Sequence, residues 1–276
     1  MINSTGNRLT MEIRRQSNLA QQIARTQIEV STGRRILSAS DDPVAAARVA
    51  TIRQAQSDDS VWKANLSLGS SLSAQADSVL QTMSERLARA QELIVSGANQ
   101  SLSPADRTTV GVELRGIADE IDSLAATRSS LGDPLFANGP ATTIRFGEST
   151  VFAPVPARVD VFETGGSAIS ALVRTSATSV DGGNAAQIGA SLTAIKASVD
   201  HIADANADVG VRGARIERLR ETLASRGIEY ASERSGLEDT DLSEAIARLN
   251  GQTITLQAAQ AAFARINRQT LFDILG

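Results

Sequence analysis

The chain has 276 residues, a net charge of −4 and no cysteine. The missing thiols exclude disulfides and thiolate metal sites, the single histidine, His201, leaves little for histidine catalysis, and the acidic balance argues against a nucleic-acid partner. Hydrophobic residues reach 42% but aromatics only 3%, so a core must be built from Ala, Leu, Ile and Val, which suits thin helix-on-helix contacts better than a broad globular pocket.

In chain order, the first heptad stripe is Leu9, Ile13, Gln16, Ala20, Ile23, Gln27, Val30, and Gly33 follows as its C-cap. Ser40-Asp41-Asp42-Pro43 opens the next segment with capping side chains and a proline in the first turn. Its stripe is Leu68, Leu72, Ala76, Val79, Met83, Leu87, Ala90, Ile94. Ser103-Pro104-Ala105-Asp106 starts a third helix, with Asp106 where a capping box usually has Glu. That helix carries Val110, Leu114, Ile117, Ile121 and Leu124 and is expected to end at Leu131-Gly132-Asp133-Pro134.

Residues 133–180 break the helical pattern. Thr142–Phe146 and Arg158–Phe162 gather β-formers, Gly147, Pro154, Pro156 and Gly165-Gly166 supply turns, and Ala168–Val173 suggests a short helix. A small β-rich insertion on the outside of the molecule is expected, one from which much of 140–165 could be deleted without loss of folding. The stripe then resumes at Ile188 and continues through Ile195, Ile202, Val209 and Ile216 to Leu223, about 54 Å of helix at ~1.5 Å per residue. Gly210 and Gly213 inside it mark a bend or a close backbone approach. The last stripe is Leu242, Ile246, Leu249, Thr253, Leu256, Gln260, Phe263, followed by Leu271.

Chemistry-bearing constellations are sparse. Asp41-Asp42 and Asp58-Asp59 are sequence neighbours that do not face one another on a helix, which favours capping and solvation over metal binding. His201 flanks a seam, Trp62 suits a packing anchor, and the band Arg212, Arg215, Glu217, Arg218, Glu221 is either a solvated face or an intersubunit contact. The insertion holds Arg145, Glu148, Arg158, Asp160 and Glu163 without forming a recognisable site. No catalytic, cofactor-binding or metal residue is assigned, and an enzyme is not expected. The cations are 25 Arg and two Lys, a bias that either GC-rich coding or a use of Arg for bidentate contacts accounts for.

The words around the terminal stripes are more specific. Val30-Ser31-Thr32-Gly33-Arg34-Arg35-Ile36-Leu37-Ser38-Ala39-Ser40-Asp41-Asp42-Pro43-Val44-Ala45-Ala46-Ala47 resembles the flagellin superfamily, as do Leu237–Ile246, Leu256–Ile266 and Gly210–Arg215. The motif residues are Gly33, Arg34, Asp41, Asp42 and Pro43. Within the superfamily, Asp41–Ala46 and the ending Thr270-Leu271-Phe272-Asp273 favour the branch that joins hook to filament over a short filament subunit. A generic coiled-coil adaptor, for which these words would be coincidental, is the reading from another class.

The resemblance implies a mainly α fold of long antiparallel helices, with residues 1–40 and 237–276 paired as an inner coiled coil, 41–132 and 181–236 as a helical bundle, and 133–180 outermost. It implies self-assembly through Leu9, Ile13, Ile23, Val30, Leu242, Ile246, Leu249, Leu256, Phe263 and Leu271. The implied partners are further copies in a ring or tubular layer, flagellin, a neighbouring hook-associated protein and an export chaperone, with no cofactor, nucleic acid or membrane span. The implied location is extracellular, reached through the flagellar type III apparatus without a cleaved signal. Residues 1–10 hold no apolar signal core, which agrees. The polar seam residues Gln16, Gln27, Thr253, Gln260 and Asn267 further predict that 1–40 and 237–276 are disordered in the lone chain and fold on assembly.

Overall fold

The computed structural model describes the backbone of residues 2–275 and the side chains of Asn7 and residues 10–265. The element order is α1 (Ile2–Thr32), α2 (Pro43–Gly97), α3 (Pro104–Ala125), β1 (Ile144–Arg145), β2 (Val151–Phe152), α4 (Arg158–Phe162), β3 (Glu163–Thr164), β4 (Ser167–Ala168), α5 (Ile169–Asp181), α6 (Ala185–Glu238) and α7 (Leu242–Leu275). The fold is mainly α, and its β structure is two short antiparallel ladders, β1 with β2 and β3 with β4.

Contacts divide the chain into two units, Met1–Gln56 with Gly227–Gly276, and Ser57–Arg226. The first therefore takes in residues 41–56 and 227–236 besides the expected terminal pair. Helices α2 and α6 each contribute residues to both units.

The second unit follows the heptad stripes closely. Ala76, Val79, Met83, Leu87, Ala90 and Ile94 of α2 are buried with Leu114, Ile117 and Ile121 of α3, Ile169, Val173, Ala177 and Val180 of α5, and Ile188, Ile195, Ile202 and Val209 of α6. A stripe three to four residues apart recurs on one helix face, so these side chains meet in one seam when the helices pack. Arg pairs tie the same helices at their edges: Arg86–Glu120 and Arg89–Glu113 link α2 to α3, and Arg174 reaches Asp119 and Asp122 from α5. The capping box of α3 is present, with the Ser103 hydroxyl accepting from the Asp106 N–H and the Asp106 side chain reaching back to the cap.

Three expectations change. Helix α3 stops at Ala125, short of Leu131–Pro134, because the Thr127 N–H turns to the Leu124 carbonyl in a tighter i→i−3 bond and the chain then closes a loop through Leu135 N–H on the Thr127 carbonyl and the Arg128–Pro134 bridge. Arg158–Phe162 is a helical turn, not a strand: Val161 and Phe162 are both buried, whereas neighbours on a strand point to opposite faces. Residues 133–162 are also not an appendage. Leu135, Phe136, Val155, Val161 and Phe162 belong to the same core as α2, α3, α5 and α6, and the Phe136 and Phe162 rings meet edge to face at 5.0 Å. Phe146 closes a second cluster with Leu66, Ile216 and Leu223, against which Trp62, Ile144 and Phe152 pack. With so few aromatics in the chain, the ones in this segment fill what Ala-rich helix seams leave open. Helix α6 runs unbroken through Gly210 and Gly213; at Gly213 a Cβ would lie 3.3 Å from Ser73 Oγ, so there the glycine serves close approach to α2.

Candidate assembly site in the terminal helix pair

The first unit is built on α1 and α7. On α1 the half-buried or buried positions among the described side chains are Glu12, Gln16, Leu19, Ile23, Thr26, Glu29 and Val30, and on α7 they are Ala245, Leu249, Gln252, Thr253, Leu256, Ala259 and Phe263. Ile23, Val30, Leu249, Leu256 and Phe263 thus lie in the seam as expected from the pattern. Ile13 is 54% exposed, and Leu242 and Ile246 are 48% and 46% exposed, so these three face away from it. Ala20, Gln27 and Gln260 are exposed too. The side chains of Leu9, Asn267 and Leu271 lie outside the described residues.

The reason is a phase ambiguity. Gln16, Ile23 and Val30 are seven apart and belong to either phase; the positions between them can be Leu19 and Thr26, or Ala20 and Gln27. The first set wins. On α7 the same choice selects Ala245, Gln252 and Ala259 over Ile246 and Gln260, so the less apolar residues face α1 and the larger ones face out.

Polar pairs explain that rotation. The Thr26 hydroxyl donates to Gln252 Oε1 at 3.1 Å. The Arg248 guanidinium donates to Glu29 Oε2 at 2.9 Å, and Arg25 lies 3.6 Å from the other Glu29 oxygen. Arg25 also donates to Asp41 at 2.7 Å. The sequence reading did not single out Arg25, Thr26, Glu29, Arg248 or Gln252, and the only signal available was polar residues at seam spacing.

The motif residues form the connector from α1 to α2. Gly33 sits at φ +68°, the left-handed conformation that favours glycine after a helix. The connector is hydrogen-bonded to the turn between α6 and α7: Arg35 N–H donates to the Glu238 carbonyl at 2.7 Å, Thr240 N–H donates to the Gly33 carbonyl at 3.0 Å, and Arg34 pairs with Asp239. Asp41 accepts from the Ser38 N–H at 2.9 Å and the Leu37 N–H at 3.1 Å as well as from Arg25. The Ser38 hydrogen bond is the largest effect holding its carboxyl below the ordinary 3.8, with Leu37 and Arg25 adding to it against desolvation. Asp42 caps α2 through the Ala45 N–H at 3.0 Å, and Pro43 takes the first helical position. Glu238 is buried between Arg53 and Arg234. Arg48 holds Glu233 by two hydrogen bonds, of 2.6 and 2.9 Å, which lower the Glu233 pKa.

Outside the seam the pair is apolar in an unusual place. Leu242, Ile246 and Ile254 follow a four-residue ridge of α7, and Ile13, Ser17, Ala20, Ala24 and Ile28 form a small and apolar face of α1; all are exposed. An open groove of about 500 Å³ is lined by Met11, Gln16, Leu19, Thr255 and Ala259 among others. A surface of this kind can hold a packed helix.

The other singled-out residues lie elsewhere. Trp62 packs on the second cluster of the other unit, with the Arg226 guanidinium 5.1 Å from its ring centre. Asp59 is buried and paired with that same Arg226. Of the charged band, Arg212 donates to the Ala153 carbonyl, Arg215 lies over Phe152, and Arg220 pairs with Glu217, so much of it is spent within the chain. His201 is half-buried, and its Nε2 lacks a hydrogen-bond partner. Among the described residues, no three His, Asp or Glu side chains are placed to hold a metal ion.

Two family models cover most of the chain. The bacterial flagellin N-terminal helical region matches residues 2–139, and the C-terminal helical region matches residues 192–275. The chain belongs to the flagellin family. It is a structural component of the bacterial flagellum. Among flagellin-family relatives, flagellar hook-associated protein 3 of Salmonella typhimurium is 25% identical over 89% of this chain and 90% of its own length. Flagellin of Listeria monocytogenes is 24% identical over 94% of this chain and 92% of its own. The crystal structure of flagellar hook-associated protein 3 from Legionella pneumophila shares the flagellin-family fold, with a TM-score of 0.62 at 13% identity, covering 68% of this chain and 98% of that one.

Proposed function

We propose that the chain joins hook to filament, assembling through its terminal helices into a ring or tubular layer. The observation that carries the assembly reading is the apolar ridge of Leu242, Ile246 and Ile254, which α7 turns away from α1 and leaves exposed in the single chain. Large aliphatic side chains lose their hydration cost when a neighbouring subunit covers them, about 25 cal/mol per Å². The words Asp41–Ala46 and the likeness to hook-associated protein 3 support the junction in particular. Flagellin, a neighbouring hook-associated protein and an export chaperone are the partners this role calls for, and export through the flagellar apparatus is its route.

The second reading, a short filament subunit, is favoured by the equal likeness to Listeria flagellin over nearly the whole chain. Labelling the subunit in assembled flagella separates the two. A single focus between hook and filament supports the junction role; label along the filament overturns it.

A further inference from the structure

We propose that Asp41, Arg25, Glu29 and Arg248 form an ionic register lock that holds the inner stretches of α1 and α7 paired in the lone chain, before any assembly. The lock runs from the connector through α1 to α7 in unbroken steps: Asp41 to Arg25 at 2.7 Å, Arg25 to Glu29 at 3.6 Å, and Glu29 to Arg248 at 2.9 Å. Arg248 continues to Glu244 on its own helix at 3.8 Å. Glu29 is the central member and only 9% exposed, so its charge is held where water does not compensate it and a partner matters most. One residue-turn away, Thr26 and Gln252 form a second bond across the same two helices. The connector end is itself anchored, since Asp41 binds two backbone N–H groups and the neighbouring Gly33 and Arg35 bond to the α6–α7 turn.

These bonds are gathered in residues 25–41 and 238–252. Farther along α1, the buried Gln16 Nε2 lacks a partner and the seam opens into the groove beside Met11 and Leu19. Order in the single chain therefore ends near Thr26 and Gln252 rather than at the 40 and 237 expected from the polar seam. Register is set before assembly, and only the outer parts of the terminal helices wait for a neighbour. This holds for a junction and for a filament subunit alike.

Amide hydrogen exchange of the full-length chain, shown to be monomeric by light scattering, tests the lock. Residues 25–32 and 244–252 are expected to exchange at least about tenfold more slowly than residues 10–18. Glu29→Gln is expected to erase that difference, while Glu12→Gln, which breaks an ion pair of Arg15 within α1, leaves it within about twofold. Equal exchange of 25–32 and 10–18 in the unaltered chain overturns the proposal, as does retained protection in Glu29→Gln. Should Glu29→Gln also lose protection in 57–226, Asp41→Asn decides: faster exchange in 25–41 supports the lock, and no change refutes it.

Discussion

At the scale of single residues, the chain uses arginine as a connector between distant segments. Arg226 on Asp59, Arg48 on Glu233 and Arg248 on Glu29 each join positions far apart in sequence. In the first two the planar guanidinium meets the carboxylate through two donors, which a lysine cannot do. Asp59 is the most buried of these carboxylates, and Arg226→Leu would leave it unpaired. A loss of roughly 3 kcal/mol is expected, near the low end for a broken buried pair because Arg226 is itself part-exposed. Chemical denaturation followed through Trp62, the only tryptophan and a neighbour of Arg226, measures it. Acid should weaken both the connector and the Arg48–Glu233 pair. Asp41 and Glu233 both titrate below their ordinary values of 3.8 and 4.5. The unfolded chain therefore binds their protons at higher pH than the folded one, so the stabilisation is complete above about pH 4.5 and is lost as pH falls through the depressed folded values. Carboxyl titration by NMR should show both midpoints lowered, with the Leu37 and Ser38 amides losing protection as Asp41 protonates.

At the scale of elements, residues 133–162 carry more of the second unit than their short ladders suggest. The helix seams are lined by aliphatic side chains, and Phe136, Phe146 and Phe162 add buried ring area to the two clusters. Phe162→Ala should cost about 3–5 kcal/mol, the usual range for deleting a buried ring. Deletion of 140–165, a segment of which much is expected from sequence to be dispensable, should instead abolish cooperative thermal unfolding, because it removes Phe146, Val155, Val161 and Phe162 together. A calorimetric transition of unchanged enthalpy in that deletion would show that the ring contacts are dispensable.

At the scale of the whole molecule, seam and surface of the terminal pair make separable predictions. Leu249 lies between α1 and α7 in the stretch already paired in the single chain, so Leu249→Asp should disrupt the pair itself, since a buried unpaired carboxylate costs several kcal/mol. Ile246 faces outward, so Ile246→Asp should leave the single chain's helicity and unfolding unchanged yet stop assembly. Motility of a deletion strain carrying each variant, read beside circular dichroism of the purified chain, distinguishes them. A motile Ile246→Asp strain with normal filaments would remove α7's outer ridge from the assembly surface.

The sequence by itself determined the long helices, the Gly33 and Ser103 caps, the bundle stripes of α2, α3 and α6, and the motif that marks the family, because each rests on local chemistry: spacing on one face, a capping oxygen, a glycine at positive φ. It did not determine which phase of the terminal stripes faces inward. Residues seven apart satisfy both phases, and the choice fell to Thr26–Gln252 and Glu29–Arg248, bonds between residues more than two hundred positions apart. Nor did it place residues 133–162, whose β-forming side chains look like those of any small sheet until the bundle's shape shows which gaps they fill. Local pattern sets what a segment can become; the partner across the seam sets which of its faces is buried, and so which face is left for another subunit.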